Sequence, residues 1–381
     1  MDGCRHLTSN AVGFCLLPSE LIQEILLRLA LPEILRLKSV CKTLASIISG
    51  DYFRREYNTR SSSENWLFLF KKRSLRDSEI HGFTDSSDRW FKIPVTEFLF
   101  PVVPPGEDLY FLTASGDIFL FALNKLREVI AVNVKTKTVK KIPPSPLGPR
   151  DTSSWRRSGL KLIAGPSSSD HFRFLFTELH ENQPVLLEYI SETDRWQYSE
   201  AREINESEAR VGESESVFLS VINRRSESVV IAVQSESTIP VVLRPRLTET
   251  RDGGDLLHVY GDGKMVIVRS EGVEGNGRVR VITRIEVLGL SSDGRGWEFL
   301  SWVPPELVDK FKKPYGVMKG CLEDRDGIIR VVLVSNHEGY WDFIWLSYEL
   351  GSRVWKWVPL PDCRMKGSNM AGISLSSGPT L

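Results

Sequence analysis

The chain has 381 residues, 41% of them hydrophobic and 26% charged, which is the balance of an ordinary folded protein of two or three domains. Lys plus Arg is 49 and Asp plus Glu is 49, so there is no excess cation with which to coat nucleic acid, and no nucleic-acid partner is expected. The longest apolar run, Ala11 to Leu17, is far short of the roughly 20 residues a spanning helix needs, and no membrane association is expected.

No small-residue cleavage site follows that run, so it does not read as a signal peptide. The cysteines are Cys4, Cys15, Cys41, Cys321 and Cys363. An odd number, scattered and without a CxxC pair, suits reduced thiols in the cytoplasm or the nucleus or both. Cys4, His6 and Cys15 lack the close pairing of a four-ligand zinc site, and neither a metal nor any other cofactor is expected.

Helical spacing dominates before residue 60. Ser19 is placed to cap a first helix, with Pro18 just ahead of it. Leu21, Ile22, Ile25, Leu26 and Leu29 line one side of that helix, while Glu20, Gln23, Glu24 and Arg28 line the other. Pro32 can open a second helix bearing Ile34, Leu35 and Leu37. A third carries Val40, Leu44, Ile47 and Ile48 and ends at Gly50. Three short helices are too small to bury a core alone, so another surface must cover their apolar faces.

Read continuously, residues 17–29 are LPSELIQEILLRL, followed by Pro32, by Leu35-Arg36-Leu37-Lys38-Ser39-Val40-Cys41-Lys42 and by Asp51-Tyr52-Phe53. This series resembles an F-box, with Leu44 standing where many members carry Trp. The resemblance implies a docking surface for the Skp-type adaptor of cullin-based ubiquitin ligases. Leu17, Pro18, Leu21, Ile25 and Leu26 would be its anchors, extended by Leu35, Val40 and Cys41. Through the adaptor the chain would reach the cullin and RING subunits.

After the serines at 61–63, short runs of Val, Ile, Phe, Trp and Tyr alternate with Ser, Gly, Asp and Pro to the end, an all-β pattern. Two landmarks recur. One is a Trp or its equivalent ahead of an apolar-Pro step, as in Asp88-Arg89-Trp90-Phe91-Lys92-Ile93-Pro94 and Arg353-Val354-Trp355-Lys356-Trp357-Val358-Pro359; Trp196 and Trp297 hold the same place. The other is a polar turn before a strong strand, as in Ser115-Gly116-Asp117 before Ile118–Phe121. The strand landmarks recur about every 52 residues, close to the period of a kelch-type propeller blade. One unit reads as four strands, Leu109–Thr113, Ile118–Leu123, Glu128–Asn133 and Thr138–Ile142. About 320 residues at that period make six blades. This part is similar to the kelch-related propellers that follow an F-box in plant proteins. Met370–Leu375 is expected to join Trp66–Phe70, Ile80–Phe83 and Trp90–Ile93 in one blade, closing the ring and leaving no open edge.

The fold class expected is therefore α+β and multidomain: a small three-helix F-box at 12–60, then an all-β, six-bladed kelch-like propeller at 61–381 for substrate recognition. No GxSxG elbow, HExxH or P-loop occurs, so no bond chemistry of the chain's own is expected; the resemblance to an F-box implies a non-catalytic receptor subunit of a ubiquitin ligase that presents a target protein of unknown identity. A propeller enzyme or glycan-binding protein with an incidental helical cap is the other reading. Recognition would fall to the loops Pro101–Asp108, Pro143–Trp155, Asn205–Glu215 and Arg244–Asp255. Arg150, Arg156, Arg157, Arg244 and Arg246 are the candidate contacts, suited to an acidic or phosphorylated target.

Overall fold

A computed structural model describes residues 17–381, except for 62–64, 73–77, 94, 166–168, 204–215, 223–227, 235–239, 244–258, 263–265, 275–279, 292–294, 312–313, 316, 326, 338–339, 362–364 and 367–368. Four helices come first: α1 (Ser19–Leu26), α2 (Leu31–Lys38), α3 (Lys42–Ser49) and α4 (Asp51–Ser61). Ser19 does not cap α1. It is the first helical residue, and Pro18 holds the cap position with no side-chain bond. Pro32 sits in the first turn of α2 as expected, where a missing N–H costs nothing. Gly50 ends the third helix as expected, in an extended conformation, and the expected three helices become four because another starts directly after it at Asp51. Beyond it, Phe53 and Tyr57, one turn apart, are both buried and stack at 6.0 Å between centroids.

The strands follow in antiparallel runs. The first sheet takes β1 (Asn65–Lys72), β2 (Glu79–Thr84) and β3 (Phe91–Ile93). After α5 (Thr96–Leu99), blade 2 is β4 (Leu109–Ser115), β5 (Ile118–Leu123), β6 (Glu128–Asn133) and β7 (Thr138–Ile142). Past α6 (Thr152–Arg157), blade 3 is β8 (Leu160–Ala164), β9 (Phe172–His180), β10 (Gln183–Ile190) and β11 (Arg195–Glu200). Blade 4 is β12 (Arg202–Glu203), β13 (Ser216–Ile222), β14 (Ser228–Gln234) and β15 (Val241–Leu243), with β12 parallel to β15. A ten-stranded sheet follows, from β16 (Val259–Asp262), β17 (Val266–Glu274), β18 (Arg280–Leu290) and β19 (Trp297–Trp302) through β20 (Pro314–Tyr315), β21 (Val317–Arg325), β22 (Ile328–His337), β23 (Tyr340–Glu349) and β24 (Val354–Val358) to β25 (Met365–Lys366). A last strand, β26 (Asn369–Ser377), returns to the first sheet and pairs with β1, so that blade 1 reads β26-β1-β2-β3.

The described strands thus form a propeller of five sheets, not the six blades the repeat count predicts. The reason lies in β16 and β21. They pair in parallel at Gly261↔Leu322 and Asp262↔Glu323, which fuses two antiparallel meanders into one sheet. A period read along the chain divides what a two-residue ladder between distant segments joins. Closure by the last strand matches the expectation: β26 runs antiparallel to β1 from Asn65↔Ser377 to Lys72↔Asn369, with a bulge between Leu69 and Lys71.

The recurring tryptophans bind one unit to the next. Trp196 of blade 3 donates from Nε1 to the Pro143 carbonyl after blade 2, at 2.8 Å. Trp90 of blade 1 donates to Pro361 O at 2.6 Å, and Trp355 donates to Ser301 Oγ at 3.0 Å. Trp297 packs on Phe218, Val230, Ala232 and Leu243 of blade 4. Each ring fills the seam, and the single N–H of Trp90, Trp196 and Trp355 finds an acceptor on the preceding unit, so those indoles are satisfied while largely out of water.

Gly372 in β26 has φ +135°, and an added Cβ would lie 2.2 Å from Phe111 O in β4. No other residue tolerates that approach. Gly372→Ala is expected to destabilise the β region by about 2–4 kcal/mol, read as a lowered urea midpoint. A midpoint equal to that of the wild type would mean that β26 is not seated beside β4.

Candidate functional site

Helix α1 is apolar on two sides. Ile22 and Leu26, one turn apart, are buried, with Leu26 at 0% exposure. Leu17, Leu21 and Ile25 form a second row at the same spacing, and they face solvent, Leu21 at 51%. Leu35 of α2 and Val40 at its end are exposed as well, Val40 at 67%. Tyr52 of α4, which the sequence reading did not select, is also exposed. Cys41 is partly buried, and its Sγ accepts the Leu44 N–H at 3.5 Å, so it caps α3. Of the eight residues picked from the sequence, then, Leu17, Pro18, Leu21, Ile25, Leu35 and Val40 are exposed, Cys41 is intermediate, and Leu26 belongs to the interior.

The interior face is covered by the propeller itself. Ile22, Leu26, Ile34, Leu44, Ile48, Phe53 and Tyr57 form one continuous cluster with Trp66, Phe68 and Phe70 of blade 1 and Phe119 of blade 2. Polar ties fix the seating. Glu33 of α2 pairs with Arg89 in the β2–β3 turn. Asn58 of α4 accepts the Leu381 N–H at 2.8 Å and donates to its carbonyl at 3.4 Å. Asp117, in the β4–β5 turn, accepts from the Thr380 N–H at 2.9 Å and from its hydroxyl at 2.6 Å. The helices therefore sit at the end of the strands where the β2–β3 and β4–β5 turns lie.

Antiparallel alternation puts the β3–β4 and β7–β8 connections, and the β5–β6 turn, at the opposite end. Those connections hold two of the four loops chosen for recognition. The other two, Asn205–Glu215 and Arg244–Asp255, lie outside the described residues, and so do Arg244 and Arg246. Arg156 and Arg157 end α6. Arg150 is not available for a target: it is 6% exposed, paired with Glu178, hydrogen-bonded to Ser158 Oγ at 2.5 Å and stacked over Trp155 and Phe176 at 4.5 and 4.6 Å. A loop arginine read from composition turns out to be the polar core of its own loop.

Titratable clusters elsewhere are structural. On blade 1, Glu79 accepts from Lys92 at 2.7 Å and bonds His81 at 2.8 Å; the Lys92 bond, then that of His81, holds its carboxyl below the usual range. Burial pulls His81 down and favours its neutral form. On blade 3, burial and then the Asp194 bond push the Tyr189 phenol up, its hydroxyl meeting Asp194 Oδ1 at 2.6 Å. Among the described residues no group of three His, Cys, Asp or Glu side chains could hold a metal, and no helix is long and apolar enough to cross a membrane. Cys4, His6 and Cys15 lie outside the described residues. None of the ten tryptophans is exposed, so no surface row of stacking faces for sugars is formed by them.

Comparison with known proteins bears on the helices. Residues 14–56 match the F-box domain. These residues are an F-box. An F-box protein of Arabidopsis thaliana is 36% identical over 111 residues, 26% of this chain and 25% of that protein. An F-box/kelch-repeat protein of the same plant is 30% identical over 100 residues, 25% of this chain and 18% of its own length. The matches thus span a quarter or less of the curated relatives. Among solved structures, TolB from Acinetobacter baumannii aligns over 89% of this chain and 70% of its own at 9% identity, with a TM-score of 0.40, too distant to bear on function.

The division of the F-box side chains has a direct consequence. Leu26→Ala should cost about 2–5 kcal/mol and shift the thermal melt, whereas Leu21→Ala should leave it within about 0.5 kcal/mol of wild type. Equal losses at the two positions would contradict the two-sided helix.

Proposed function

We propose that the chain is the substrate-recognition subunit of an SCF-type, cullin-RING ubiquitin ligase. In this reading the F-box at 12–60 docks on the Skp-type adaptor and the β region at 61–381 holds the target protein. The observation that carries it is the exposed row of Leu17, Leu21 and Ile25 with Leu35 and Val40. The opposite face of the same helices already rests on the propeller, so this row needs a second, separate cover. Burying a side chain of this size is worth about 1.5–3 kcal/mol, and a few such anchors suffice for a stable interface. Leu26, internal in this chain, would support the surface rather than touch the partner.

The geometry suits a receptor that works by proximity. With the adaptor on the helical end and the target at the opposite ends of the strands, the chain would hold target lysines near the charged conjugating enzyme and raise their effective concentration. It would carry out no bond chemistry of its own, and it would act in the cytoplasm, the nucleus or both.

Ile25→Asp places a carboxylate in the middle of the proposed interface, where burial without a partner costs several kcal/mol. Purified variant and wild type should share one melting temperature, because Ile25 is exposed in the free chain. Capture of a Skp-type adaptor should fall at least 100-fold for the variant. Undiminished capture would rule out this surface as the docking site.

A further inference from the structure

Ser39 lies where the proposed docking row passes from one helix to the next. It is the C-cap of α2, with φ −88° and ψ −7°, so it continues the helical turn and stands one turn beyond Leu35. Val40 follows it directly. All three residues are exposed, Leu35 at 52% and Val40 at 67%. The Ser39 hydroxyl donates to Arg36 O at 2.7 Å, and the Ser39 N–H donates to the same carbonyl at 3.1 Å. That carbonyl keeps its backbone donor when the hydroxyl turns away, so little is lost if the hydroxyl reacts.

The charge around this serine has one sign. No acidic residue occurs between Glu33 and Asp51, whereas Arg36, Lys38 and Lys42 all do. These three are exposed, and Arg36 stands three residues ahead of Ser39. A serine kinase with an acidic cleft reads that spacing, because its carboxylates pair with the guanidinium. The same spacing links Arg150 to Ser153, but there the arginine is buried and paired with Glu178. It also links Arg280 to Thr283, which falls within the strand β18. Among the described residues, Ser39 alone joins the spacing to an exposed arginine and an exposed turn.

We propose that Ser39 is a phosphorylation site through which a basic-directed serine kinase releases the chain from its adaptor. The inference rests on the receptor reading above and supplies a regulation of that same docking surface. The step is phosphoryl transfer from a nucleoside triphosphate held by the kinase. Ser39 Oγ bonds to the γ-phosphorus as the bond from that phosphorus to the β–γ bridging oxygen breaks. The nucleoside diphosphate leaves, and the hydroxyl proton passes to the base of the kinase.

The phosphate carries about −1.5 to −2 charge at pH 7. It ends the hydroxyl's bond to Arg36 O and faces the negative end of the α2 dipole. Pairing with Arg36 or Lys38 offsets that repulsion in the free chain, but the phosphate keeps its bound water. An adaptor closing over Leu35 and Val40 would have to strip that water from a dianion, which costs far more than covering a hydroxyl. The converse follows by linkage: an adaptor seated on Val40 shields Ser39 from the kinase.

The test has two arms. In the first, the full chain is incubated with ATP and a purified calmodulin-dependent protein kinase, a class that selects arginine three residues before serine. Mass spectrometry should find phosphate on Ser39, added at least tenfold more slowly to Arg36→Gln. A purified Skp-type adaptor bound beforehand should slow it at least tenfold as well. In the second arm, the full chain is made with phosphoserine encoded at position 39. It should capture the adaptor at least 20-fold more weakly than the unmodified chain, with the propeller melt unchanged, and phosphatase treatment should restore capture. No phosphate on Ser39, equal labelling with the adaptor bound, or capture by the phosphoserine chain within twofold of the unmodified chain would each overturn the proposal. The unmodified chain separates the two failures: if it captures the adaptor, only this switch is lost. If it captures none, the receptor reading fails and the switch fails with it.

Discussion

Everything in this molecule depends on where its last described segment goes. Residues 369–377 leave the ten-stranded sheet, enter blade 1 as its inner strand and pair with β1. Without that strand, blade 1 would end in the open edge of β1 and the ring would have no closing hydrogen bonds. Thr113 Oγ1 and Ser374 Oγ lie 3.2 Å apart, and the Gly116 N–H donates to Ser377 Oγ at 3.2 Å, so the strand also grips blade 2. The chain then continues to Thr380 and Leu381, which Asp117 and Asn58 hold. One segment therefore closes the propeller and seats the helices on it.

That seating decides which F-box side chains are left over. An amphipathic helix needs one cover; α1 has two apolar rows and the propeller reaches only one of them. Cores of this kind also explain why the helices persist despite their length. Helices of 8 to 11 residues are marginal alone, and here α4 is held through Phe53 and Tyr57, with the Tyr57 hydroxyl donating to Leu29 O at 3.1 Å. The rigid base then presents the second row at a fixed angle to the propeller, which a proximity-based receptor requires.

Much of this was legible along the chain. The strands of blade 2 fall within two residues of their expected limits, because each is bounded by a turn the sequence spells out, Ser115-Gly116-Asp117 among them. The closing strand was legible because three strands at one end lacked a fourth. What escaped is nonlocal. The fusion of two meanders rests on two residue pairs some sixty positions apart, which no period reports. The split between Ile25 and Leu26 needs the propeller in place before one side of the helix becomes the inside. Arg150 reads as a loop cation open to a target, yet burial and partners from another segment turn it into a support.

The central claim is that the outward row of the F-box, and not the propeller, meets the adaptor. Hydrogen–deuterium exchange of the full chain with and without a purified Skp-type adaptor tests it most directly. The account predicts added protection confined to residues 17–41, with the blade 2 turn at 124–127 exchanging as in the free chain. Protection appearing on the propeller blades while 17–41 exchange unchanged would contradict it.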